Sequence, residues 1–231
     1  MNPKLISFDA ADTLIKLAQS IEDHYVSVAQ SYGVIADSEI INKNFRSVFA
    51  STPALGADGQ KGLDWWSKVI ELTFLESGFK KEDFSDFERF VEHLYEALAE
   101  DHAWVTFSDV LPCLEALKQK NKRMIVFSNF DERLIKILED LGIAKYFEQI
   151  ICSTQIGYAK PDPKAFLRVA ELVQLKPEEI LHIGDSYEND YLGSQRAGMQ
   201  SILLDRKNVE IDRNSVVNVK SLIKVPALIV L

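Results

Sequence analysis

Short apolar runs punctuate this chain at wide intervals. Leu5 to Phe8, Met124 to Phe127 (MIVF), Gln149 to Cys152 (QIIC), Ile180 to Ile183 (ILHI) and Ser201 to Leu204 (SILL) each span four residues. Runs this short, with no apolar–polar alternation, predict strands buried on both faces, as in a parallel sheet covered by helices. Amphipathic stretches fill the intervals. Asp109 to Lys120 has apolar positions at helical spacing and basic residues at its end. Asp131 to Leu141 stops at Gly142, and Asp162 to Leu172 carries Pro163 in its first turn. This alternation predicts an α/β fold with a doubly wound, Rossmann-like parallel sheet.

Residues 16–103 follow another rhythm. Helical stretches run from Ile21 to Tyr32, Ser38 to Ala50, Trp65 to Ser77 and Phe84 to Ala99. Gly33, the loop STPALGADG and the turn GFKKED separate them. They predict an all-helical cap domain over 16–103, inserted into an α/β core domain over 1–15 and 104–231. The closing VPALIVL is too short to cross a bilayer and predicts a last strand or a terminus packed on the core.

The composition fits a globular protein. Of 231 residues 47% are hydrophobic and 26% charged, enough for a sizeable core. A net charge of −9 argues against nucleic acid or an anionic membrane as partner. A small phosphorylated ligand needs only a local positive pocket and stays open. Cys113 and Cys152 are too few for a disulfide framework and read as free thiols of a reducing compartment. Lys4 is followed by only four mostly apolar residues before Asp9, which does not read as a secretory leader. The expected location is the cytoplasm; oligomeric state leaves no signal.

Ligands of open α/β sheets bind beyond the carboxyl ends of the strands, so the residues there carry the chemistry. Asp9, Asp12 and Thr13 follow the first run, and Ser128 and Asn129 the second. Lys160, in GYAKPDP, follows the third. Asp185 and Asp190, in GDSYEND, follow the fourth. A carboxylate can attack phosphorus and form an acyl phosphate. Mg²⁺ held by a second acid neutralises the phosphoryl charge, while a hydroxyl, an amide and a lysine hold its oxygens. Each residue also has a plainer role: Asp12 and Asp185 as turn formers, Ser128 as a helix N-cap, Lys160 as a surface charge. Four strand ends in the right order favour the joint chemical reading.

These segments resemble the motifs of the haloacid dehalogenase-like hydrolase superfamily: ISFDAADTL the first, VFSN the second, GYAKPDP the third and HIGDSYENDYLGSQRAGM the fourth. The resemblance covers roughly 1–15 and 104–210, with the spacing of members that carry a helical cap. Within the superfamily, the D-x-x-D-T-L opening, the pair Trp65-Trp66, SNFD and GD-x-Y-x-x-D-Y are similar to the rhythmically expressed gene 2-like branch, which includes the domain-containing 3 group. The resemblance implies Asp9 as nucleophile and metal ligand, and Lys160 as the group that steadies the developing charge. It implies Ser128 and Asn129, with Thr13, on the transferring group. Asp185 and the Ala11 carbonyl would be Mg²⁺ ligands, with Asp190 an auxiliary acid.

Phosphatases of this superfamily usually carry a second aspartate two residues after the nucleophile, to protonate the leaving group. Here that position is Ala11, and Asp12 stands where the family usually has glycine. The expected function is therefore a Mg²⁺-dependent phosphatase of a small phosphorylated metabolite, slowed by the missing acid unless Asp12 replaces it. Two alternatives stay open. One is a non-catalytic or regulatory protein that keeps the pocket. The other is a metal-independent 2-haloacid dehalogenase, which needs an arginine from the cap, with Arg46 as candidate. Trp65, Trp66, Tyr95 and Trp104 read as packing residues of the cap.

Overall fold

The computed structural model describes residues 1–100, 102–207 and 216–229. The chain opens with β1 (Leu5–Phe8) and β2 (Ile15–Leu17). The helices α1 (Ile21–Gln30), α2 (Ser38–Ser51), α3 (Gly62–Glu76) and α4 (Phe87–Ala97) come next. After them run β3 (Trp104–Thr106), α5 (Val110–Gln119), β4 (Arg123–Ser128), α6 (Arg133–Asp140), β5 (Gln149–Cys152), α7 (Ser153–Ile156) and α8 (Pro163–Leu172). The last elements are β6 (Ile180–Gly184), a π-helical turn over Tyr187–Leu192, α9 (Gly193–Arg196), β7 (Gln200–Leu204), β8 (Asn218–Val219) and α10 (Val225–Leu228).

One six-stranded sheet has the order β5-β4-β1-β6-β7-β8, and all its pairings are parallel. Its two faces explain the unbroken apolar runs. Ile6 and Phe8 of β1 and Val126 of β4 pack with α5 and α6, whereas Leu5, Ile125 and Phe127 pack with α8 on the other side. Each strand therefore buries both alternating sets of side chains.

The four helices between β2 and β3 enclose their own apolar cluster, centred on Tyr25, Ile41, Ile70, Phe74, Phe90 and Leu94. Their starts follow local capping. Ser20 accepts from Asp23 N, Asp37 from Glu39 N and Ile40 N, and Asp86 from Arg89 N. The Asp86 cap explains why α4 begins at Phe87 rather than Phe84. The helix α3 starts three residues before the expected Trp65. Gly62 opens it because a Cβ there would lie 2.6 Å from the Asp131 carboxylate.

Two pairings and the end of the described chain depart from the sequence pattern. β2 and β3 form an antiparallel ribbon with Lys16 opposite Val105, where the chain leaves the sheet and returns to it. β8 adds only two residues to the sheet edge. In the described part of VPALIVL, Val225–Leu228 turns into a short helix rather than a strand. Val225 and Ile229 are buried in the sheet core, and the last two residues of VPALIVL lie outside the described ones. No helix among the described residues is long and apolar enough to cross a membrane.

The Phe74 ring lies 5.2 Å from the rings of both Phe84 and Phe90 and is 1% exposed. Phe74→Ala should cost about 3–5 kcal/mol in urea unfolding, the usual range for a buried phenylalanine. Ile40→Ala, on an exposed helix face, should stay within about 0.5 kcal/mol of the parent.

Candidate active site

The sheet brings the expected residues to one edge. Asp9 follows β1, Ser128 ends β4, and Asp185 follows β6. The π-helical turn after Asp185 carries Asp190. Lys160 enters from the loop between α7 and α8 and is 2% exposed. Its Nζ donates to Asp9 Oδ1 at 2.7 Å and to Asp190 Oδ1 at 2.5 Å, and Ser128 Oγ donates to the same Asp9 oxygen at 2.9 Å. Burial alone would lower the lysine, but the two carboxylates more than offset it and hold the ammonium above its ordinary value. Burial pushes the Asp9 carboxyl up despite Lys160. At Asp190 burial also acts upward, but the Lys160 charge and the His182 hydrogen bond win and hold the group well below the carboxylate range.

His182 is a site residue that the strand pattern concealed, because ILHI reads as apolar. Its Nε2 lies 3.1 Å from Asp190 Oδ1 and its Nδ1 3.0 Å from Ser7 Oγ. Burial holds this imidazole below its ordinary value. A neutral ring facing an ionised acceptor carries its proton on Nε2, so Nε2–H donates to Asp190 and Ser7 Oγ–H donates to Nδ1. Ser186 N donates to Asp190 Oδ2 at 3.0 Å. Gly184 makes room for this carboxylate, since a Cβ there would fall 2.2 Å from Asp190 Cγ.

Asn129 spends both ends of its amide on the Lys160 backbone: Nδ2 donates to the carbonyl and Oδ1 accepts from N–H, each at 2.8 Å. It also lines the cavity above Asp9, as do Ala11, Asp12 and Asp185. Thr13 does not. It is fully buried, and its hydroxyl has no partner among the described residues. Asp12 adopts φ +59°, the left-handed backbone that favours glycine, and its carboxylate pairs with Lys207 Nζ at 2.7 Å. Ser128 is not the cap of α6, whose first turn begins after Glu132.

The cavity holds about 510 Å³ and lies between the sheet edge and the helices. Phe49, Leu55, Trp65 and Trp66 line it from the helical side. Two residues expected as packing of the helices lie instead where helices and sheet meet. Tyr95 stacks on the Arg133 guanidinium, 3.5 Å from its ring centre, and Trp104 packs on Phe130. Arg133 is held by both oxygens of the buried Asp131 and donates to the Tyr95 carbonyl at 2.6 Å. Asp131 closes the SNFD motif, whereas Arg133 did not stand out in the sequence.

Carboxylate oxygens of Asp9, Asp185 and Asp190 lie within 4.8 Å of one another. Asp190 is already taken by Lys160, His182 and Ser186. No hydrogen bond is made to the Asp185 carboxylate among the described residues. Burial, with the charges of Asp9, Asp190 and Asp12, pushes Asp185 up to about 8. Three carboxylates facing one lysine could hold a hard metal cation.

Sheet, strand-end acids and buried lysine together define a hydrolase of the α/β class. The chain belongs to the haloacid dehalogenase-like hydrolase family, whose model matches residues 3–198. It is 31% identical over 206 residues to the haloacid dehalogenase-like hydrolase domain-containing protein 3 of Mus musculus, covering 87% of this chain and 81% of that protein. The fold is shared with a putative hydrolase, YfnB, from Bacillus subtilis in a magnesium-bound crystal structure (TM-score 0.79, 19% identity, 99% of both chains). It is also shared with an L-2-haloacid dehalogenase from Xanthobacter autotrophicus (TM-score 0.75, 17% identity, 99% and 98% of the chains).

The raised Asp185 pKa has a defined consequence for stability. Unfolded, this group ionises near 3.8; folded, near 8. The native state thus keeps a proton that the unfolded chain has lost, and stability falls as pH rises through that window. In chelator-treated protein, Asp185→Asn should remove this fall, so the variant should gain on the parent between pH 5 and 8, by about 1 kcal/mol or more. Paired urea titrations at several pH values check it. An unchanged difference across that window would contradict the crowding of Asp185.

Proposed function

We propose that the protein is a Mg²⁺-dependent phosphohydrolase of a small phosphorylated metabolite, acting through a phosphorylated Asp9. One observation carries this reading. The Asp9 carboxylate stands at a cavity edge, held at Oδ1 by Lys160 Nζ at 2.7 Å and Ser128 Oγ at 2.9 Å. Asp9, Asp185 and the Ala11 carbonyl would hold the cation. The crowded Asp185 carboxylate and the magnesium in the Bacillus subtilis structure support that choice. Bound there, Mg²⁺ supplies neutralising charge to the phosphoryl oxygens.

The chain's own groups do the rest. Asp9 attacks phosphorus, the ester P–O bond breaks, and the leaving alkoxide departs as the alcohol with a proton taken from water. The acyl phosphate on Asp9 is then hydrolysed by water to free Asp9 and inorganic phosphate. The Ser128 hydroxyl holds the transferring group, and the Lys160 ammonium steadies the charge that develops there. Asn129 positions Lys160 through its backbone. Asp190 keeps the lysine charged and in place, and His182 keeps Asp190 in place. Residues 16–103 act as the cap that shields the reaction from water over a core of 1–15 and 104–231. The two buried free thiols, Cys113 and Cys152, fit a cytoplasmic setting.

The dehalogenase reading needs an arginine for the substrate carboxylate. Arg46 points elsewhere, with its Nε donating to Asn42 Oδ1 at 2.6 Å, and no arginine lines the cavity among the described residues.

Asp9→Asn should reduce phosphatase activity on a broad phosphomonoester panel with Mg²⁺ to background. Retained turnover would point to another mechanism.

Ala11 has no proton to give, and Asp12 is bound to Lys207. Ala11→Asp should therefore raise hydrolysis of alkyl phosphates by up to about 10²–10⁴-fold. Aryl phosphates such as p-nitrophenyl phosphate, which leave as stable anions, should gain less. Asp12→Ala should leave the alkyl-to-aryl ratio of the parent unchanged. A selective loss on alkyl esters in Asp12→Ala would assign the acid role to Asp12. No gain in a folded, Mg²⁺-binding Ala11→Asp protein would favour a non-catalytic pocket.

A further inference from the structure

The two walls of the cavity differ in kind. From the sheet edge come four aspartates (Asp9, Asp12, Asp185 and Asp190) and one lysine, Lys160. From the helical layer comes no charged group among the described residues. That wall is built on Phe49, Leu55, Trp65 and Trp66, with small residues between. The aromatic rings form a continuous surface: Phe49 to Trp65 is 5.5 Å between ring centres, Phe49 to Trp66 6.3 Å, and Trp65 to Trp66 4.9 Å. Trp65 is fixed by its Nε1 donating to Pro53 O at 2.7 Å. Phe49 is 46% exposed although it sits in a recess against two tryptophans. A large apolar ring left wet on a concave wall marks a ligand surface.

Among the described residues, the cations near this wall are committed or lie outside the cavity. Lys160 is matched by Asp9 and Asp190. Arg133, 5.7 Å from the Trp66 ring, is held by both oxygens of Asp131. Lys207 pairs with Asp12. Lys61 and Lys68 line a separate cavity that shares only Thr52 and Trp65 with this one. A carboxylate or second phosphate on the leaving group would enter a carboxylate-rich, partly buried space and meet no free cation among the described residues. Such a charge is costly to desolvate unpaired. A flat neutral group would cover Phe49 and Trp66 and gain the apolar burial they leave unused.

We propose that the substrate is a phosphomonoester with a neutral, apolar leaving group of about the size of an aromatic alcohol, selected by the Phe49–Trp65–Trp66 wall. The inference rests on the phosphohydrolase reading for the phosphoryl end alone. The leaving-group preference comes from the opposite wall.

Benzyl phosphate and phosphoglycolate separate the two. Both leave as alkyl alcohols, and only the second bears an extra carboxylate. With the intact protein and Mg²⁺, kcat/KM should favour benzyl phosphate by about 10- to 100-fold, the range a hydrophobic pocket achieves. Phe49→Ala should erase most of that preference through KM. Phe49→Arg should turn it toward phosphoglycolate. Equal or reversed preference in the parent, or an unchanged ratio in a folded Phe49→Ala, would overturn the proposal. If neither ester is hydrolysed, the phosphohydrolase reading fails on its own. Binding then decides the wall's role, with tryptophan fluorescence following titration by benzylphosphonate and by phosphonoacetate. Tighter benzylphosphonate that weakens in Phe49→Ala supports the apolar wall; equal or tighter phosphonoacetate sinks it.

Discussion

The Lys160 ammonium is the constraint around which this site is arranged. It lies almost wholly buried between Asp9 and Asp190, which come from the ends of different strand units. Buried charges survive only when paired and hydrogen-bonded, and the surroundings meet that demand. Ser128 and Ser186 supply further donors to the two carboxylates, and a neutral His182 relays from Ser7 to Asp190. Asn129 fixes the lysine backbone from both sides. Removing any of these leaves a buried group short of a partner, so the reacting face inherits its rigidity from the charge balance beneath it.

A second arrangement sets the opposite wall. The helical layer meets the sheet at close backbone contacts where a side chain would not fit. A Cβ on Gly56 would lie 2.4 Å from the Ser153 carbonyl carbon, and one on Gly62 would meet Asp131. Ser153 Oγ donates to Leu55 O at 2.5 Å, and Arg133 joins Asp131 to Tyr95. These contacts place Leu55 and the start of α3, hence the two tryptophans, over Asp9. Polar clasp and apolar wall are neighbours in the same few residues.

Ala11 gains meaning from this geometry. It stands between Asp9 and Asp12 in sequence, yet the backbone turns at Asp12 into the left-handed region. The Asp12 carboxylate then reaches outward to Lys207, about half exposed, while Asp9 points into the buried cluster. Two aspartates three positions apart therefore occupy different electrostatic worlds. The shift of one residue from the usual acid position is a change of direction, not a small displacement.

The sequence by itself determined the strand runs, the run of helices between the first two of them and the strand-end positions of Asp9, Ser128 and Asp185. Those features are local: apolar runs, helical spacing and the polar residue after each run need no knowledge of distant contacts. Strands of two or three residues, such as β2, β3 and β8, carry too little pattern to be read, and the terminal VPAL turn follows its proline rather than its apolar content. Only the tertiary structure decided that His182 faces Asp190, that Asn129 clamps Lys160, that Thr13 is sealed from the cavity and that Arg133 belongs to the junction of helices and sheet. It also decided which aromatic residues are packing and which stay wet, since Phe49 and Phe74 look alike along a helix. The reason is register. Lys160 and Asp9 stand 151 positions apart, and only the parallel pairing of strands brings such groups to hydrogen-bonding distance.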